Sequence, residues 1–193
     1  MAEQATYPLC QRFSIGYSVF EDRLLLSAST ADAGVLGLLL TRRLVFIVLQ
    51  QILNRLPDLT QLKQTPAAFW QEVLQINHQQ ALQQKAAADN EPEADTTTVV
   101  TEPDDALFLV TGLTTQLQES QLVLAFNGLP MPEGMQQATG FISIVALKLS
   151  VDNLHQLLQM LVGKAKEAEW HLPVELPWLE ASWGQELKGQ VQH

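Results

Sequence analysis

Four histidines, a single cysteine and one pair of adjacent arginines are the residues of this 193-residue chain whose chemistry could go beyond packing. His78, His155, His171 and His193 stand in no metal-ligand spacing such as HExxH, and Cys10 has no second thiolate to join them, so no metal site is predicted. Cys10 could serve as a nucleophile only beside a base that the fold would have to deliver. His155 falls beside the apolar stripe of a helix, the place of a boundary histidine. His78 falls on a Gln-rich helix end that reads as exposed. The chain contains no GxSxG, GxxxxGK[ST] or GxGxxG. Its acids concentrate in a linker-like stretch, where no carboxylate pair could be held in the fixed geometry of acid–base catalysis. These observations predict no catalytic residue and no cofactor.

The arginines, Arg42 and Arg43, interrupt the most apolar stretch of the chain, LGLLLTRRLVFIVLQQILNRL, residues 36–56. Thr41 before them suits a helix N-cap, its hydroxyl accepting a free N–H of the first turn. Cations there oppose the helix dipole by roughly a few tenths of a kcal/mol. Either nearby carboxylates compensate them (Glu21, Asp22, Asp32 or the acidic linker), or the two arginines and the free N–H groups receive an anionic ligand. Arg42 and Arg43 are therefore the candidate ligand-binding residues. Trp170, Trp178 and Trp183 form a second candidate group. In a Pro-containing tail they would either strap the protein's own surface or anchor an interface with another chain.

The elements that must position these residues can be read from periodicity. Phe13, Ile15, Tyr17 and Val19 alternate with small polar residues as in a half-buried strand, and Leu24–Leu26 begin its hairpin partner across the polar turn Glu21-Asp22. Gly34 supplies backbone freedom before a third strand at 35–40. A helix follows from Arg42, with Val45, Val48, Leu49, Ile52 and Leu56 on one face, and Pro57 is expected to stop it. Thr65-Pro66 reads as the capped start of a second helix, which beyond Ile76 turns to Gln and Ala and is expected to be exposed. A second hairpin turns at Glu119-Ser120 and is expected to end at Asn127-Gly128. After the loop LPMPEGMQQATG come a strand, FISIVALKLS, and a helix capped by Ser150, with Val151, Leu154, Leu158, Leu161, Ala165 and Ala168 in one stripe.

Charge divides the chain unevenly: +1 over residues 1–85, −7 over 86–106 and −4 over 107–193. A net charge of −10 with no basic cluster disfavours nucleic acid, whose phosphates need Lys and Arg. The apolar run is too short and too charged at its centre to span a membrane. No leader is visible at the N-terminus and no disulfide framework is possible, which fits the cytoplasm. The stretch 86–106 reads as an acidic linker, apart from a Thr-Val patch at 96–101 that could add an edge strand.

Each half of the chain reads as hairpin, loop, strand, capped helix, and aligning Thr41 with Ser150 superposes the apolar stripes. The expected fold is α+β: antiparallel sheet or sheets from two βββα-like pseudo-repeats, long helices packed on one face, and an extra helix with the acidic linker between them. The units would be 1–60, an inserted helix and linker at 61–106, a second unit at 107–172 and the Trp/Pro tail at 173–193, together one compact domain. A non-catalytic protein-binding or assembly component of the cytoplasm, adaptor or chaperone-like, with a protein partner or self-association, fits this pattern best. The alternatives are a small-anion binder at Arg42-Arg43 and an enzyme whose site the sequence does not display, with Cys10 or His155 as candidates.

Overall fold

The computed structural model describes residues 6–60, 62–89, 99–102, 105–132, 140–174, 176 and 178. Three strands, β1 (Cys10–Ser18), β2 (Arg23–Thr30) and β3 (Gly34–Leu40), lead into α1 (Arg42–Leu59). Two short 3-10 turns, Leu62–Gln64 and Ala67–Phe69, precede α2 (Trp70–Asp89). Then follow β4 (Ala106–Gln118), β5 (Gln121–Pro130), β6 (Ile142–Leu149) and α3 (Val151–Glu167). The protein is α+β, with all six strands in one sheet in the order β1-β2-β3-β4-β5-β6.

The sheet is mixed, where an antiparallel one was expected. Four junctions are antiparallel, but β3 and β4 run parallel, pairing Leu36–Leu39 with Ala106–Leu109. Parallel neighbours need a long crossover, and α1, α2 and the segment after them supply it. The two ends of the sheet also meet. Leu9 bridges Ala146 in parallel sense, and the Ala146 N–H donates to the Pro8 carbonyl at 2.9 Å.

Alternation along the strands turns one face inward. Leu24 and Leu26 of β2, Leu38 of β3, Leu124 of β5 and Leu147 of β6 are at most 1% exposed. They share a single apolar core with the inner faces of α1 and α3, which pack against one another. The opposite face is crossed by part of the linker. Ser14, Ser27 and Gly37 stand side by side across β1, β2 and β3. Above them the Ser14 hydroxyl donates to the Val99 carbonyl, and the Ser27 and Thr101 hydroxyls lie 2.6 Å apart. A Cβ at Gly37 would come within 2.9 Å of Thr101 Cγ2, so the small residue admits the crossing chain. Residues 99–101 thus lie over the sheet and add no edge strand; the rest of the Thr-Val patch, 96–98, lies outside the described residues.

Three boundaries differ from expectation for local reasons. Helix α1 runs through Pro57 to Leu59. Pro57 sits in the last turn, and Thr60 closes the helix behind it with both its N–H and its hydroxyl on the Leu56 carbonyl. Helix α2 begins at Trp70 and not at the Thr65-Pro66 cap. The 3-10 turn intervenes, and the Thr65 carbonyl accepts the Trp70 indole N–H at 2.8 Å. Strand β5 continues past Asn127-Gly128 to Pro130. A Cβ at Gly128 would overlap the Leu109 carbonyl and approach Ile144 Cδ1 to 2.9 Å, so this glycine serves close strand packing, not a turn.

Candidate functional site

The Thr41 hydroxyl accepts the Leu44 N–H at 3.3 Å, which starts α1 and sets Arg42 and Arg43 on its exposed first turn. Successive residues on a helix point about 100° apart, and the two guanidiniums have different surroundings. Arg42 lies 5.8 Å from the ring centroid of Trp170, a cation–π distance. The Trp170 indole N–H donates to Asp22 Oδ1 at 2.5 Å, and the Tyr17 hydroxyl donates to the same oxygen at 3.1 Å. Tyr17 also meets Trp170 edge-on, with centroids 6.2 Å apart. The Trp170 hydrogen bond, followed by those of Tyr17 and the charge of Arg42, holds the Asp22 carboxyl below its ordinary range.

Trp170 is turned inward by the chain around it. Glu169 and His171 on either side both adopt positive φ, 53° and 46°, and the Trp170 N–H returns to the Ala165 carbonyl at the end of α3. The indole is 2% exposed. Trp170 is therefore a clasp within the chain that joins the end of α3 to the β1–β2 turn and the start of α1.

Arg43 lines a groove of its own with the N-cap Thr41, with Leu44 and Ile47 of α1 and with Leu109, Val110 and Thr111 of β4, about 330 Å³ in volume. The groove opens where β3 leaves the sheet to become α1. Beyond Leu109, β4 has no ladder partner on that side among the described residues, although it continues to Gln118. Among the described residues, no carboxylate forms an ion pair with Arg43.

The third site was not legible as one. His78 of α2 and His155 of α3 are both fully buried, with ring centroids 5.4 Å apart. Trp178 packs edge-on against both, at 5.5 and 5.6 Å. His78 Nε2 lies 3.2 Å from Gln159 Oε1, while His78 Nδ1 and both nitrogens of His155 have no hydrogen-bond partner. Burial pushes both imidazoles toward the neutral form, His155 to about 4, where the neighbouring His78 adds to the effect. His78 is thus not on an exposed helix end. Leu74, His78 and Ala81 continue the inward stripe of α2, and the small Ala81 lets the two helices approach. Reading His78 as an inward position of that stripe would have marked it as buried, though not its meeting with His155.

Cys10 donates its thiol to the Arg12 carbonyl at 3.1 Å, and burial pushes it up to about 11, the opposite of an activated nucleophile. Trp183 lies outside the described residues. Among the described residues no three His, Cys, Asp or Glu side chains come together to hold a metal ion, and no helix is long and apolar enough to cross a membrane. No protein-family model matches the chain, and no curated protein or solved structure matches it at a significant level.

Proposed function

We propose that this protein is a non-catalytic protein-binding or assembly component of the cytoplasm that takes an extended segment of a protein partner onto the free edge of β4. The stretch of β4 beyond Leu109, which has no ladder partner on its β3 side among the described residues, carries this reading. An unpaired strand edge offers a row of N–H and C=O groups, and strand addition is a common way of holding an extended peptide. The groove beside it supplies apolar walls, Leu44 and Ile47, and one cation, Arg43, for an acidic residue of the incoming segment. The acidic balance of the chain disfavours nucleic acid as the partner.

Duplication of one βββα unit is the origin we infer for this architecture, with α2 and the acidic linker inserted between the copies and the long helices on one face. Its support is the shared element order, the caps Thr41 and Ser150 at equivalent helix starts, and the like parallel sense of the β3–β4 pairing and the Leu9–Ala146 bridge. A small anion at the helix start is the second reading. Arg43 alone favours it, since Arg42 is already engaged by Trp170.

The experiment is co-purification of the full chain from native lysate, compared with a Thr111→Lys/Gln116→Lys variant that charges the edge. Loss of a stoichiometric partner in the variant, at unchanged thermal stability, is the expected result. A partner retained at wild-type level by the variant, or no partner at all, rules out the edge.

A further inference from the structure

Helix α2 buries a narrow face. Among the described residues it packs on α3, and of its twenty residues only His78 and Ala81 are fully buried. One of these two fully buried side chains is an imidazole. It faces a second buried imidazole, His155, across the interface, with Trp178 of the C-terminal segment closing over both.

We propose that the His78–His155–Trp178 cluster is a proton-operated latch: at neutral pH it docks α2 and the Trp178 indole on α3, and on acidification it releases them and uncovers that face of α3. Three of the four ring nitrogens have no hydrogen-bond partner, so a proton arriving there would place a charge in a site that offers it no acceptor. A second proton would set two cations on rings 5.4 Å apart.

The groups facing the pair are few. From α2 comes His78, from α3 come His155 and Gln159, and from the C-terminal segment comes Trp178. Among the described residues no carboxylate or ammonium acts on either imidazole, and the Gln159 amide oxygen at His78 Nε2 is the one group that favours the charged form, outweighed by burial. Released, each ring returns to its ordinary value of 6.5. The docked form binds fewer protons than the released one, so docking strengthens as pH rises. It is complete above about pH 6.5 and is lost as pH falls from there toward 4. Among the described residues the core contains no other such pair: the remaining buried polar side chains, Ser27 and Thr30, are hydrogen-bonded and do not titrate in this range.

The test is amide hydrogen exchange on the full chain at pH 7.5 and 5.0, each normalised to the intrinsic amide rate. Protection of residues 74–86 should fall at least about tenfold at pH 5.0 while β2 and β5 keep theirs. A His78→Leu/His155→Leu variant should show equal protection of α2 at both pH values. Uniform loss of protection over the whole sheet, an unchanged α2, or a pH response surviving in the leucine variant would overturn the latch. Should the leucine pair fail to fold, His155→Gln takes its place, and an undiminished pH response in that variant overturns the proposal equally. Zn²⁺ binding at pH 7.5 that protects α2 and requires both histidines would also overturn it, making the pair metal ligands.

Discussion

Residues 10–59 and residues 106–167 pass through the same sequence of elements, three strands and a capped helix, yet they start their helices in opposite ways. Helix α3 has Asp152 in its first turn and Lys164 and Lys166 in its last, matching the helix dipole at both ends. Helix α1 has no acid in its first turn and no base in its last; it opens on Arg42 and Arg43. Local electrostatics alone would select against that choice. The structure supplies a non-local reason for half of it. Arg42 sits over Trp170, a residue that follows α3, so the poor start of one helix helps fasten it to the end of the other.

The ends of the helices repeat the contrast. Three residues after α1, Leu62 is 1% exposed; three residues after α3, Trp170 is 2% exposed. Leu62 packs back on its own helix, whereas Trp170 binds Asp22 and Tyr17 near the start of the chain. The largest predicted effect tests this difference. Trp170→Ala should cost about 3–5 kcal/mol in chemical denaturation and Leu62→Ala about 2–4. Only the tryptophan variant should increase hydrogen exchange in β1. Equal exchange in both variants would reduce Trp170 to ordinary packing.

How much of this was legible in the sequence depends on how far each cause reaches along the chain. Thr41 and Ser150 act within one turn, and both cap as their residue type demands. Stripes such as Leu154, Leu158 and Leu161 are likewise local and are buried as the spacing requires. Pro57 and Asn127-Gly128 misled because the usual local meaning of Pro and Gly was overridden by position in the last turn and by a neighbouring strand. The parallel β3–β4 junction, the pairing of His78 with His155 and the clasp at Trp170 each join residues more than 65 positions apart. No window of sequence displays such a meeting. Of the candidate site, Arg42, Arg43 and Trp170 could be named in advance, but not that Trp170 would claim one arginine and leave the other.

A smaller effect is expected from acid. Asp22 is held in its charged form chiefly by the Trp170 hydrogen bond, so the clasp contributes stability above the ordinary carboxylate range and loses it as pH falls through the lowered value. The urea midpoint of the wild type should therefore drop more steeply below pH 4 than that of Asp22→Asn, which has no charge to lose. Parallel acid limbs for the two proteins would mean that the Asp22 contacts contribute nothing to folding.

The smallest effect decides what the arginines are for. Replacing a first-turn cation by an acid should stabilise a helix by roughly 0.3–1 kcal/mol at low salt. Arg43→Asp, with no carboxylate pairing among the described residues to lose, should show that gain in the urea midpoint. Arg42→Asp should not, because it gives up a cation–π contact worth about 0.5–1 kcal/mol at an exposed site and sets a second carboxylate near Asp22. If both variants gain equally, Arg42 is as idle as its neighbour and the clasp ends at Asp22. If Arg43→Asp gains stability while losing the partner of the β4 edge, the unfavourable charge is kept for binding: α3 has the helix start that folding prefers, and α1 has the one that a ligand requires.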